Sequence, residues 1–226
     1  MQLNYEMRDW PKIEKYLLTY IPKGFNGSLY RFYIRRWIQL LSSAAQNSTA
    51  SLPPQTFGTD VWIGDEMFSI NFNVTKTINF LTGCRNLRSY RVPISYFGEQ
   101  GIIGYTVEPT IGVTDIEVPI IVVPLDISDK EYVVIDGNHR LSERIRLGKQ
   151  DVDMIIISEN TLIQQKLFLT RFDCLLYIAL LEIDNVVNWM SKGRHMISLL
   201  PQSFILNRSS KMIIKPTYQR DLPPTI

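Results

Sequence analysis

The sequence is poor in cysteine and histidine, the residues that most often hold transition metals or act as nucleophiles. Its 226 residues include two cysteines and two histidines. Cys84 and Cys174 lie far apart and outside any Cys/His ligand spacing, which argues against a structural zinc site. Such a pair is more typical of reduced thiols in a cytosolic protein than of a disulfide framework. We therefore expect a cytoplasmic protein that depends on a hydrophobic core.

The chain also lacks an excess of one charge and a long apolar run. Its 24 Lys and Arg residues against 22 Asp and Glu give a net charge of +2. This balance does not indicate a dedicated nucleic-acid binder, but it leaves room for a local basic patch. The first residues do not have the pattern of a secretory signal. The longest charge-free apolar stretch, around residues 174–181, is too short to cross a bilayer, so we expect no membrane partner.

Helical periodicity is clear near both ends of the chain. In the first third, apolar residues recur at steps of three and four, at Leu29, Phe32, Tyr33, Trp37, Leu40, Leu41 and Ala44. Arg31, Arg35 and Arg36 lie mostly off that apolar face. They form either a solvated helix surface, which we favour, or a patch that binds phosphate or nucleic acid. Residues 42–60 predict a loop or linker. Residues 161–192 predict one or two long helices, followed by a loosely packed tail.

The middle of the chain predicts the element order strand, strand, helix, strand. The four elements are residues 118–123, 132–135, 138–147 and 152–157. Gly148 stands where a glycine commonly ends a helix. Upstream, residues 92–97 predict an edge strand because Pro93 has no N–H to donate to a neighbour.

Residues 136–140 read Asp-Gly-Asn-His-Arg and join the second of these strands to the helix. Gly137 permits a sharp turn and the close approach of a ligand. Asn138 is a good N-cap residue. His139 and Arg140 then fall in the first helical turn, where cations are unfavourable against the helix dipole. A bound anion would resolve this conflict, so the pattern is typical of a phosphate site.

Asp136 ends the strand beside these cations, and its carboxylate suits a divalent metal or can accept a proton. A structural alternative stays open, because Asp-Gly is a common turn and a histidine at a helix start often bonds only to backbone. The residues by themselves therefore allow either a phosphate site or a plain strand–turn–helix connection.

Residues 118–157 resemble the core of the ParB/sulfiredoxin superfamily. The similarity rests on an apolar strand at 120–123, Asp-Gly-x-His-Arg at 136–140, Leu-Gly at 147–148 and a strand at 152–157. The resemblance implies an α+β protein with a small mixed sheet and helices, and with further helical segments at both ends.

These patterns predict three consecutive segments. The first is an N-terminal helical segment and linker over residues 1–60. The second is a ParB/sulfiredoxin-like core over residues 61–158, best supported over 117–158. The third is a C-terminal helical segment and tail over residues 159–226.

Members of this superfamily tend to hold a nucleotide phosphate with this loop and helix start. The resemblance therefore implies Gly137, Asn138, His139 and Arg140 as contacts to ATP, ADP or CTP, together with Mg²⁺. It implies a metal-binding or catalytic role for Asp136, with His139 as a second catalytic residue.

Particular members narrow this expectation. Sulfiredoxins carry cysteine at the position of Asn138, so sulfinic-acid repair is excluded here. Free-serine kinases have a catalytic glutamate just after their first strand, and Glu99 takes the corresponding place, although it also fits a surface loop. Many members have a small residue three positions after the arginine, where this chain has Glu143.

Three functions stay open at this point. The first is a nucleotide-dependent phosphotransferase or hydrolase, which is the one we favour. The second is a DNA-binding adaptor or nuclease of partition or phage-defence type that is switched by nucleotide. Residues 161–192 show no short glycine turn between two helices, which counts against that reading. The third is a non-catalytic interaction protein.

Overall fold

The computed structural model describes residues 8–21, 27–48, 53–85, 87–109, 115–127, 130–193 and 203–207. The helices are α1 (Trp10–Leu17), α2 (Gly27–Gln46), α3 (Val74–Thr82), α4 (Asn138–Arg146), α5 (Glu159–Gln164), α6 (Arg171–Ser191) and α7 (Phe204–Asn207). The strands are β1 (Thr56–Ile63), β2 (Glu66–Asn73), β3 (Tyr90–Pro93), β4 (Ile103–Gly104), β5 (Ile120–Ile127), β6 (Lys130–Asp136) and β7 (Asp151–Ile156). The predicted α+β class is confirmed. The predicted tail after residue 207 lies outside the described residues.

The chain forms two compact units that are discontinuous in sequence. Among the described residues, the first comprises 8–21, 27–48, 59–71, 168–193 and 203–207, and the second comprises 53–58, 72–85, 87–109, 115–127 and 130–167. The sequential division at residues 60 and 158 stays a prediction.

The second unit is built on a five-stranded mixed sheet in the order β3-β7-β5-β6-β4. Strand β5 is antiparallel to β6 and parallel to β7, and the short β4 is parallel to β6. The connection from β6 through α4 to β7 therefore brings the chain back to the far side of β5. The predicted order of strand, strand, helix and strand is confirmed over these elements.

Helix α4 packs on this sheet through its apolar face. Leu141 is fully buried in a cluster with Ile120, Val134 and Met154. Truncating such a leucine to alanine typically costs about 2–5 kcal/mol because it removes burial and leaves a cavity. The helix start is thereby fixed at the carboxyl end of β6.

Strand β3 confirms the edge position predicted from Pro93. Among the described strands it pairs only with β7, and Pro93 lies opposite Asp151 at the end of the ladder. The strand ends there and continues as a short 3-10 helix, Ile94–Tyr96. The predicted strand over residues 92–97 was therefore too long, since proline cannot continue a ladder by donating an N–H.

The first unit contains α1, α2, α6 and α7. Helix α2 continues to Gln46 and β1 begins at Thr56, so the loop predicted over residues 42–60 is shorter than expected; residues 49–52 lie outside the described part of the chain. Helix α6 begins with a capping box, in which the Thr170 side chain accepts from the Asp173 amide and the Asp173 carboxylate accepts from the Thr170 amide. Asp173 also accepts two hydrogen bonds of 2.9 Å from Asn71, which ties β2 to α6.

Among the described helices, α6 has the length and composition of a membrane span, with a mean hydropathy of 1.2 over its most apolar window. Half of that window is buried within the structure, and the buried side chains of α6 include Asp173 and Glu182. A core helix of a soluble protein has the same features. The cytoplasmic location stays a prediction.

Candidate functional site

The turn between β6 and α4 requires glycine at position 137. Gly137 has φ of +96°, and a Cβ there would lie 2.7 Å from Cγ2 of Ile120 and 2.9 Å from Nη2 of Arg140. Two non-bonded carbon atoms do not approach to 2.7 Å, so a Cβ at position 137 would force a shift of Ile120 or of the turn. The predicted role of Gly137 in a sharp turn is confirmed, and the close approach to Ile120 adds a packing reason for it.

Gly137, rather than Asn138, is the N-cap of α4. The Gly137 carbonyl accepts a 2.9 Å hydrogen bond from the amide of Leu141, and within the described residues no side chain caps this helix. Asn138 is the first helical residue, so its predicted capping role is wrong. The backbone already turns at the left-handed glycine, and the asparagine side chain is free for other contacts.

Asn138 instead connects the turn to a distant segment. Its Oδ1 accepts a 2.9 Å hydrogen bond from the amide of Thr106, and its Nδ2 donates to the carbonyl of Val134 at 3.2 Å. The side chain is buried, with 8% of the residue exposed. Its hydrogen-bonding groups are thereby used inside the protein, so a direct phosphate contact would require their rearrangement.

Two further bonds fasten residues 105–109, which we name the β4 extension, along α4. The Glu108 amide donates to Oγ of Ser142 at 3.1 Å, and Nδ1 of His139 is 2.8 Å from the carbonyl of Pro109. This stretch has no periodic pattern in the sequence from which an element could be predicted, and in the structure it is neither helix nor strand. The β4 extension forms one wall beside the first turn of α4.

The contact to Pro109 fixes the tautomer of His139. A carbonyl oxygen only accepts, so Nδ1 carries the proton and, in the neutral ring, Nε2 carries the lone pair. Nε2 lies 4.0 Å from Oε2 of Glu108, and 60% of the His139 side chain is exposed. The ring therefore presents a proton-accepting nitrogen to solvent next to a carboxylate. Glu108 was not recognised from the sequence.

Arg140 is held by its own turn. Its Nη2 donates to Oδ2 of Asp136 at 2.8 Å and lies 3.4 Å from the carbonyl of Pro119. About a fifth of each side chain of this pair is exposed. The predicted conflict between Arg140 and the helix dipole is thus partly relieved by Asp136. Within the described residues Nε of Arg140 is buried without a partner, and no bond from Nη1 to those residues is present.

Asp136 belongs to no cluster of metal-ligating side chains in the described part of the chain. The described residues contain no group of three His, Cys, Asp or Glu side chains placed to hold an ion. Asp136 offers one carboxylate, and one of its oxygens is engaged by Arg140. This arrangement suits Mg²⁺ only where phosphates and waters complete the coordination.

Glu99 is not brought to this turn. The carbonyls of Gly98, Glu99 and Gly101 accept hydrogen bonds of 2.7–2.8 Å from Nζ of Lys130, which begins β6. Asp136 ends the same strand, and six strand steps span about 20 Å. Glu99 is exposed beside the opposite end of β6, so its predicted part in catalysis has no support from its position.

Glu143 and Arg144 carry structural roles on the same helix. Glu143 is mostly buried and accepts bonds of 2.7 and 2.6 Å from Arg146. Arg144 is more deeply buried and donates to the carbonyls of Ile116 and Asp151 and to Glu117. Glu143 stands where many members of the superfamily that the chain resembles have a small residue, and here an ion pair with Arg146 at the end of the helix accommodates the larger side chain.

Comparison of the chain with protein-family models, with curated proteins and with solved structures gives no match.

Proposed function

We propose that the turn at residues 136–140 binds the phosphate groups of a nucleotide. The observation that carries this proposal is the start of α4, where the left-handed Gly137 is followed by a first turn that no side chain of the described residues caps. Its amide groups and the positive end of the helix dipole favour an anion. Arg140, and His139 when its Nε2 carries a proton, add two further donors in the same turn.

The hydrogen bonds of Arg140 leave it able to act on a ligand. Both contacts to the described residues are made by Nη2, so Nη1 keeps its two hydrogens for a phosphate oxygen. The bond to Asp136 also holds the guanidinium in one orientation before a ligand arrives. Such preorganisation lowers the entropic cost of binding.

We further propose that the second unit belongs to the ParB/sulfiredoxin superfamily. The support is the mixed sheet in which β5, β6, α4 and β7 follow the predicted order, with the Asp-Gly-Asn-His-Arg turn at the carboxyl end of β6. The nucleotide would be ATP, ADP or CTP with Mg²⁺.

The reaction that fits these residues is phosphoryl transfer or hydrolysis. Catalysis of this kind consists mainly of positioning and charge stabilisation. His139 and Arg140 would supply the positive charge, and Asp136 would hold the magnesium ion through the oxygen that Arg140 leaves available. Glu108, whose Oε2 lies 4.0 Å from Nε2 of His139, replaces Glu99 as the proton acceptor. A general base must lie within hydrogen-bond reach of its proton donor, and Glu108 lies on the β4 extension beside the first turn of α4.

The test is a thermal-shift series with ATP, ADP, CTP and GTP, each with and without Mg²⁺. A ligand that binds only the folded state raises the apparent melting temperature. We expect a shift with at least one nucleotide, and its loss in His139→Ala and in Arg140→Ala. Absence of any shift at millimolar nucleotide would overturn the proposal.

Arg146→Ala is the matched control. Like Arg140, Arg146 lies on α4 and pairs with a carboxylate one turn away, but it occupies the last turn. We expect this variant to keep the nucleotide-induced shift. Loss of the shift in all three variants would instead indicate a general effect on α4 and count against a site at its start.

A second measurement tests for catalysis. Release of inorganic phosphate from the nucleotide that raises the melting temperature would indicate an enzyme, as opposed to a nucleotide-switched or non-catalytic protein.

A further inference from the structure

Helix α2 in the first unit carries positive charge on its exposed side and has no acidic residue anywhere along its length. Its 20 residues include three arginines and neither aspartate nor glutamate. We name the exposed residues Arg31, Phe32, Arg35 and Arg36 the arginine face. These positions are one turn or one residue apart, so all four side chains project from the same side of the helix.

The opposite side of α2 is fully used by the core. Tyr30, Tyr33, Ile34 and Trp37 are each at most 1% exposed. The arginine face is therefore not the apolar stripe of a helix that inserts into a membrane, which would need several exposed hydrophobic residues. Its one large apolar side chain, Phe32, is 49% exposed.

Two open grooves meet at Arg31 and extend the positive surface. One runs between α1 and α2 and is lined by Lys15, Thr19 and Arg31, and the other runs along the start of α2 past Ser28, Phe32 and Arg35. In the described part of the chain neither Lys15 nor Arg31 has an ion-pair partner. Glu14 is the acidic residue that lines this surface, and it pairs with Nε of Arg35 at 2.9 Å.

The arginine face also contains a stacking element. The guanidinium of Arg36 lies over the Phe32 ring, 5.4 Å from its centroid. A half-exposed ring and a planar guanidinium both stack against nucleobases, provided that the bases are unpaired. Cations in a groove combined with an aromatic platform are the features with which proteins bind single strands without reading their sequence.

We propose that the arginine face and Lys15 bind single-stranded nucleic acid, with the cations on phosphates and Phe32 against a base. The positive charge favours binding of a polyanion. The Phe32–Arg36 stack favours a polyanion with unpaired bases, in preference to a duplex or a lipid surface. This binding surface is separate from the nucleotide site proposed at residues 136–140 and does not depend on it.

The test measures fluorescence anisotropy of a labelled oligothymidylate with the full chain at increasing salt. On single strands the slope of log K against log salt is about −0.7 per phosphate contact. The double variant Arg31→Gln/Arg35→Gln should flatten the slope by about 1.4. Phe32→Ala should weaken binding about tenfold and leave the slope unchanged, because stacking releases no counterions.

The matched control is Arg91→Gln/Lys149→Gln, which removes two exposed charges outside the first unit. It should retain affinity and slope. Equal loss in both double variants would mean that only net charge matters and would overturn the assignment. Unchanged binding of oligothymidylate by the Arg31→Gln/Arg35→Gln variant, with its fold confirmed by circular dichroism, would also overturn the assignment. Binding of a DNA duplex or of phosphatidylglycerol vesicles in preference to oligothymidylate would also overturn it.

Discussion

Nη2 of Arg140 donates a 2.8 Å hydrogen bond to Oδ2 of Asp136 across the glycine that joins β6 to α4. Both side chains are about four-fifths buried, so water screens this pair less than a surface ion pair. The bond links the end of a strand to the first turn of the next helix. It therefore stabilises the turn and orients the arginine at the same time.

Replacing Asp136 with alanine should lower the free energy of unfolding by about 1–3 kcal/mol, because a partly buried guanidinium loses its charged acceptor. Urea denaturation followed by circular dichroism measures this change. Arg91→Ala is the control, since Arg91 is 67% exposed in its pair with Asp153 and water screens the attraction within such exposed pairs. Equal effects of the two substitutions would contradict a special role for the Asp136–Arg140 pair.

Gly137→Ala should destabilise the protein more than Gly98→Ala. The two glycines have similar φ values of +96° and +92°, but an added Cβ would meet Ile120 at 2.7 Å only at position 137, with nothing within 4 Å at position 98. Backbone strain of about 1–3 kcal/mol applies to both, and overpacking adds about 1–3 kcal/mol at Gly137. Matched melting curves of the two variants measure the difference, and indistinguishable curves would refute the close packing at Ile120.

Asn138→Ala should release the β4 extension from α4. The substitution leaves the amide of Thr106 and the carbonyl of Val134 without the side chain that bonds them, at a cost of about 1–3 kcal/mol. Hydrogen exchange at the Thr106 amide should become faster. Asn188→Ala removes an exposed asparagine bonded within its own helix and should leave that exchange rate unchanged. Unaltered protection of Thr106 in Asn138→Ala would rule out this connection.

Glu182 should make stability depend on pH in the mildly acidic range. Burial raises the pKa of this carboxyl above its ordinary value of 4.5, although Tyr33, Ser203 and the Phe204 amide all donate to it. Because the folded pKa is the higher one, the contribution is fully present below pH 4.5 and is lost as pH rises through the raised value.

The measurement is the free energy of unfolding of the wild type and of Glu182→Gln across that range. The variant should show a flatter fall in stability with increasing pH. Asp173, whose pKa burial also raises, is present in both proteins and cancels in the comparison. Parallel curves for the two proteins would argue against a raised pKa at Glu182.

The sequence predicted those parts of the fold that have local causes. Residues 120–123 and 132–135 are recognisable as strands because they are short, apolar and rich in β-branched residues, and Thr170 and Asp173 are recognisable as a cap because their partners lie three positions away. The burial of Arg144 had no such signal. Its partners are the carbonyls of Ile116 and Asp151 and the carboxylate of Glu117, which tertiary structure alone brings to it.

The candidate site shows the same limit. Gly137 was recognised because a left-handed turn has a residue preference. Asn138 was misassigned because its actual partner, the amide of Thr106, lies 32 positions upstream. Glu99 was expected near the turn because the resemblance to free-serine kinases implies a catalytic glutamate just after the first strand, whereas the bond from Lys130 to its carbonyl places it at the other end of β6. Glu108 was missed because no local sequence pattern distinguishes it from other surface carboxylates.

The hydrogen bond from His139 to Pro109 has a consequence for the other ring nitrogen. Nδ1 donates to the carbonyl oxygen and holds the imidazole against the β4 extension. The side chain is 60% exposed, so contacts at Nε2 can form and break while the ring and the β4 extension keep their places. The protein thus anchors this ring by one nitrogen and leaves the other to the surroundings, so an interaction made there requires no rearrangement of the neighbouring segment.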